Sequence, residues 1–312
     1  MAHQTGTATD HVDLLDKLRL FALANGFTVH NFGARPAGAT AGQALQLSKA
    51  NLAGSFLSLT AAGTAANPGQ YVGGYAHDAY AGGGGTENQA KGSPKVYANA
   101  MTGPYQGYDF FTGDGASGPY LYAVVETAAG FFKHFGMGIL DKFGAITTGA
   151  FVYACAWNYE PIHISNWTAY RHAVPFDNAE NASANSRSLH VRGDSDTISP
   201  RWYDPQATPL LRGGHRATST GNIVRTPVIG SASLRTGRTP LVPCLVTGER
   251  TGGLYSPLGS PPGMRWVSLD YLDPGAVLTI GTDQWKVFPV IRKNGGAGQP
   301  NSERFGYAFK MT

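Results

Sequence analysis

Charge is scarce in this chain. Asp, Glu, Lys and Arg make up 14% of its 312 residues, against about 25% in an ordinary globular protein. So few long charged side chains argue against a mostly helical surface. The formal net charge of +4 does not by itself announce a nucleic-acid partner, and nucleic acid is not expected as one. Cysteine is nearly absent: Cys155 and Cys244 are the two in the chain. Both lie in apolar runs far apart in sequence, and they read as buried reduced thiols or as a single disulfide. Nothing demands an oxidising compartment. Long apolar runs are missing too. Residues 51–76 carry no charge but contain Asn67-Pro68-Gly69, and residues 143–159 are too short and too rich in threonine to span a bilayer, so no membrane insertion is expected. Residues 1–5 show no basic region leading into an apolar core, so no signal peptide is expected.

Familiar catalytic signatures are lacking as well. The chain has no Walker-type loop, no nucleophile-elbow serine, no metalloprotease helix motif and no cysteine pair with zinc spacing. There is no internal repeat and no heptad. From residue 36 to residue 170 there is no arginine. No enzyme activity, catalytic residue, cofactor or metal is expected from this inventory.

Glycine is plentiful, with 42 residues, about twice the usual share. With Thr, Ser, Asn, Tyr and Phe it favours short strands joined by turns. An apolar content of 42% is enough to bury a core. These features predict a mainly β chain, with sandwich-like antiparallel sheets, one N-terminal helix and a long loop-rich insertion.

The helix is expected over residues 10–25. Leu14, Leu15, Leu18, Phe21 and Ala22 share one face, Thr9 or Asp10 caps the start, and Gly26 suits the C-terminal left-handed position. That face either pads an open sheet or docks onto a neighbouring chain. Strands are expected over 28–32, 55–60, 120–127, 131–140, 150–158, 264–271, 276–280, 284–291 and 305–311, with Gly281-Thr282-Asp283 turning a hairpin. Turns are read at residues 82–85 and 112–115. The chain is thus divided into an N-terminal docking segment (1–30), the first part of a β domain (31–174), an arginine-rich extended insertion (175–260) and C-terminal strands completing the β domain (261–312).

The insertion stands apart. From Arg187 to Arg250 there are nine arginines, no lysine and only two aromatics, Trp202 and Tyr203. Its apolar residues are too sparse for an independent core, although short knots recur at 210–211, 228–229 and 241–245. Arginine without lysine favours planar pairing at protein interfaces, and the scarcity of aromatics argues against a single-strand stacking platform. The candidate inter-subunit residues are therefore Leu14, Leu18 and Phe21 on the helix and Arg187, Arg192, Arg201, Arg212, Arg216, Arg225, Arg235 and Arg238 in the insertion.

Other chemistry is only suggested. Asp194 and Asp196 could hold a hard cation, but a solvated turn is the plainer reading. Arg192-Gly193-Asp194 spells an adhesion tripeptide that three residues match by chance. His163, His172, His190 and His215 fit no zinc spacing. The four glycines at 82–85 read as a loop tip. Glu126 and Glu160 could form a glycosidase pair, although nothing in the sequence brings them together. Tyr71, Tyr75, Tyr80, Tyr97, Tyr105, Tyr108, Phe110, Phe111, Tyr120 and Tyr122 could line a sugar-binding face or cap a sandwich core.

Three blocks carry a resemblance that spans the chain in order. The first is Thr9-Asp10-His11-Val12-Asp13-Leu14-Leu15. The second runs from Phe132-Lys133-His134-Phe135-Gly136-Met137-Gly138 through Asp141-Lys142-Phe143-Gly144 to Thr148-Gly149-Ala150-Phe151-Val152. The third is Gly281-Thr282-Asp283-Gln284-Trp285-Lys286-Val287-Phe288-Pro289 with Gly306-Tyr307-Ala308-Phe309-Lys310. Together they resemble a family of virion structural proteins of tailed bacteriophages. The resemblance implies a non-enzymatic subunit of the particle, in the tail tip or baseplate, assembled in the host bacterial cytoplasm from copies of itself and other virion proteins. A receptor- or carbohydrate-binding tail component that meets a host surface glycan, a head-decoration or neck protein, and a cell-wall hydrolase using Glu126 or Glu160 are the alternatives.

Overall fold

The protein is seen in a computed structural model that describes residues 1–34, 42–50, 56–64, 67–77, 80, 96–99, 101–144, 149–154, 189–195, 198–203, 211–213, 239–250, 254–293 and 305–312. It is mainly β, with antiparallel sheets and, among the described residues, one helix. The chain opens with strand β1 (Ala2–Ala8), and helix α1 (His11–Ala24) follows. The Asp10 carboxylate accepts from the N–H groups of Val12 and Asp13 at 2.8 and 2.9 Å, satisfying two of the donors a helix start leaves bare. Gly26 ends the helix at φ +79°, where a side chain would be strained. No helix among the described residues is long and apolar enough to cross a membrane.

A five-stranded meander follows: β2 (Thr28–Ala34), β3 (Gly42–Ser48), β4 (Phe56–Thr64), β5 (Asn67–His77) and β6 (Val96–Asn99). The central sheet has seven strands in the order β1-β7-β8-β9-β11-β12-β13. Its further members are β7 (Tyr105–Asp114), β8 (Pro119–Ala128), β9 (Phe131–Ile139), β11 (Ala150–Ala154), β12 (Leu189–Ser195) and β13 (Ile198–Tyr203). A small sheet joins β10 (Asp141–Lys142), β17 (Leu254–Ser260), β16 (Val246–Arg250) and β14 (Leu211–Gly213). The C-terminal sheet runs β15 (Val242–Pro243), β18 (Met264–Ser268), β21 (Phe305–Lys310), β20 (Asp283–Pro289) and β19 (Val277–Ile280).

The central sheet is covered on both faces. On one side Phe110, Leu121, Ala123, Val125, Phe135 and Met137 meet the helix and the meander, with the Phe21 and Phe110 rings 5.7 Å apart. On the other, Phe111, Tyr122, Phe132, Phe151 and Tyr153 meet Trp266, Phe288, Tyr307 and Phe309 of the C-terminal sheet. An antiparallel sheet with one wet face alternates apolar and polar residues. Here residues 119–125 of β8 are buried without a break, which is why this stretch reads as a continuous apolar run. The glycines of Phe135-Gly136-Met137-Gly138 answer to the same crowding. A Cβ on Gly136 would lie 2.6 Å from the Leu121 carbonyl oxygen, and one on Gly138 would lie 2.8 Å from Tyr120 Cβ.

Two expectations need correction. The helix face does not await a partner chain: Leu14, Leu18 and Phe21 are 0%, 1% and 4% exposed and belong to this chain's own core. An apolar stripe of this kind stabilises most by burial, at roughly 1.5–3 kcal/mol per large side chain, and the chain's own sheets supply that burial. The helix leaves Leu20 and Leu23 outward instead. Nor do the described parts of residues 175–260 form an extended arm. Strands β12 and β13 extend the central sheet, and β14, β16 and β17 build the small one. Leu189, Val191, Cys244 and Val246 lie in the same buried cluster as Phe111 and Phe309. Of the sparse apolar knots, the one at 241–245 feeds this shared core through Val242 and Cys244 instead of making one of its own.

Candidate functional site

Three residues far apart in sequence meet at one end of the interface between the central and C-terminal sheets. Asp109 stands on β7, opposite Thr5 of the edge strand β1. It is only 8% exposed, and a carboxylate so placed needs compensating donors. His3 Nε2 lies 2.6 Å from its Oδ1, and Lys286 Nζ of β20 donates to the same oxygen at 2.6 Å. The His3 ring is itself fixed by stacking on Phe111 at 4.7 Å. Lys286 Nζ lies 5.5 Å from the centre of the Phe288 ring.

Beside this trio opens a cavity of about 390 Å³. Its walls include Thr5, Thr7, Gln106, Asp109, Glu126 and Lys286, with Phe132 and Phe288 as apolar lining. Register puts the two carboxylates on the same face. Gly107 pairs with Glu126 and Asp109 with Val124, so Asp109 and Glu126 are diagonal neighbours on adjacent strands. Glu126 Oε1 accepts the Gly130 N–H of the β8–β9 turn at 2.7 Å, which holds the side chain in place. Glu160, the partner first considered for Glu126, lies outside the described residues. Sequence reading missed Asp109, Lys286 and His3 because only the strand pairing joins positions more than a hundred residues apart.

The remaining candidates are placed as follows. Arg192 is on β12, half-buried and paired in register with Trp202. Arg201 and Arg212 are on β13 and β14, each the outermost described strand of its sheet. Arg187, Arg216, Arg225, Arg235 and Arg238 lie outside the described residues. Arg192-Gly193-Asp194 belongs to a paired strand, with Gly193 opposite Arg201. Asp196, the glycines at 82–85, His163, His172, His215 and Cys155 are outside the described residues. His190 is buried on β12. Cys244 is a free, buried thiol whose pKa burial pushes up. Among the described residues no group of three or more His, Cys, Asp or Glu side chains could hold a metal ion.

Six of the ten aromatic residues weighed between sugar face and core belong to the core. Tyr105, Tyr108, Phe110, Phe111, Tyr120 and Tyr122 are all buried. Tyr122 donates to the Pro262 carbonyl at 2.7 Å, and burial raises its pKa well above the ordinary value. Tyr75 and Tyr80 are half-buried, and the side chains of Tyr71 and Tyr97 are not among those described.

A surface of another kind lies on the C-terminal sheet. Its edge strand β19 carries Val277 and Ile280 at 48% and 50% exposure, with Tyr271 nearby in sequence also exposed. No charged residue occurs from 274 to 282. Comparison of the chain with models of known protein families and with curated proteins finds no match.

Proposed function

We propose that the chain is a non-enzymatic structural subunit of a tailed-phage virion, in the tail tip or baseplate, which assembles with copies of itself and with neighbouring virion proteins. The phage part of this reading is supported by the three-block resemblance. Two of those blocks supply β9 and β11 of the central sheet and β20 and β21 of the C-terminal sheet, so the likeness falls on the framework of the fold.

The assembly part is carried by one observation, the apolar and uncharged edge strand β19. Sheet edges are ordinarily blunted by Lys, Pro or a bulge because they invite pairing. This edge shows Val277 and Ile280 to solvent instead. Covering it with another chain would bury both side chains and satisfy the strand's outward backbone groups. The corrected role of Leu14, Leu18 and Phe21 moves the expected contact from the helix to this edge. Native mass measurement on the purified chain tests the reading. The expected result is a multiple of the 32.9 kDa chain mass, shifted toward single chains by the double substitution Val277→Lys and Ile280→Lys. Imaging of particles containing the tagged chain tests its position. Label on the head alone, or no label on the particle, contradicts the tail assignment.

A further inference from the structure

The cavity beside Asp109 has a composition that selects its ligand. Asp109 spends one oxygen, Oδ1, on both His3 and Lys286. Among the described residues its Oδ2 accepts no bond. Glu126 likewise spends Oε1 on Gly130, and its Oε2 is free to accept. Lys286 uses one of its three hydrogens on Asp109. Thr5, Thr7 and Gln106 add groups that both donate and accept.

A bound cation wants acceptors alone, and the Lys286 ammonium opposes it. An anion wants donors alone, and two carboxylates oppose it. A hydroxyl group both donates and accepts, and a ligand carrying several hydroxyls suits a wall that offers both. The Phe132 and Phe288 lining gives the carbon face of such a ligand an apolar surface. The volume, about 390 Å³, falls within the range of small-molecule sites. We infer that this cavity binds a neutral saccharide unit, with the free oxygens of Asp109 and Glu126 accepting from sugar hydroxyls and Lys286 donating to one. None of the six buried aromatic residues of the first half lines it. The inference does not depend on the chain being a virion subunit, so either reading can fail alone.

Gly107 offers a way to close the site from its backbone wall. A Cβ there would meet only the Gly6 carbonyl oxygen at 3.8 Å and Glu126 Oε2 at 3.9 Å, both ordinary contacts. Gly107→Leu therefore fills the cavity from its wall, and Glu126→Ala removes one acceptor. The experiment is saturation-transfer NMR on the full chain with D-glucose, D-galactose, L-rhamnose and N-acetyl-D-glucosamine at millimolar concentration. Methylguanidinium and inorganic phosphate serve as the charged comparisons, and thermal melting shows that each variant is folded. The expected result is binding of at least one sugar, weakened about tenfold or more in each folded variant. If one variant fails to fold, the other decides. Binding of none of the four sugars, sugar binding that persists in a folded variant, or preferential binding of methylguanidinium or phosphate overturns the inference.

Discussion

Strands β8 and β19 are both rich in apolar residues, and the fold treats them oppositely. In β8 residues 119–125 are all buried, because the strand lies inside a sheet sandwiched between the helix-backed meander and the C-terminal sheet. In β19 Val277 and Ile280 are about half exposed, because among the described residues the strand has one neighbour, β20, and ends the sheet. Composition alone does not separate the two. Position in the sheet decides whether apolar surface builds the chain's own core or remains for something else to cover.

The buried side of the sheets is the more sensitive to substitution. Phe309 packs on Phe111 at 5.1 Å and lies within ring-contact distance of Tyr122, His134 and Phe288. Phe309→Ala is expected to cost about 3–5 kcal/mol, measured by urea unfolding. A loss below about 1 kcal/mol would mean that the two sheets are not packed through this cluster.

The next effect is pH-dependent. His134 is fully buried, with Nε2 2.8 Å from the Pro289 carbonyl oxygen. Burial, with Lys133 alongside, pushes its pKa down to about 4, while the Pro289 contact works the other way. The unfolded chain binds a proton near 6.5 and the folded chain only near 4, so stability rises with pH across that window. Between pH 6.5 and pH 4 this one group is expected to remove roughly 3 kcal/mol. Unfolding measured across this range should show a shallower slope in His134→Gln than in the parent chain. Equal slopes would place His134 in contact with water.

A smaller loss is expected at the helix start. Asp10→Ala removes the side-chain acceptor for two backbone donors and should cost about 1 kcal/mol, read as a lower urea midpoint with an unchanged slope. The smallest effect belongs to the open edge. Val277→Lys with Ile280→Lys should change single-chain stability by no more than about 0.5 kcal/mol for each substitution. A large loss there would show that β19 is already covered within one chain.

How much of this was legible depended on whether neighbours override local pattern. The helix was legible because its cap, its apolar face and Gly26 are local signals. Strands β9, β19, β20 and β21 were legible from apolar runs and from the turn at Gly281. Strand β1 was not. Its sequence, Ala-His-Gln-Thr-Gly-Thr-Ala, has no apolar alternation, because it is a half-exposed edge strand held by pairing with β7. Strand β5 was not expected: it contains Asn67-Pro68-Gly69 and Gly73-Gly74, residue types that locally favour turns. At the candidate site Glu126 was visible, as half of a candidate pair with Glu160. His3, Asp109 and Lys286 were not, since no spacing rule joins residues from three strands of two sheets. The arginine-rich stretch looked like an arm because its apolar residues are few, yet Leu189, Val191, Cys244 and Val246 reach the shared core.

The assembly claim is tested most directly by following amide hydrogen exchange across β19 together with native mass as the chain is concentrated. The account predicts that mass rises with concentration and that protection of β19 increases as it does. A single chain at every concentration, with exchange at β19 unchanged, would contradict it.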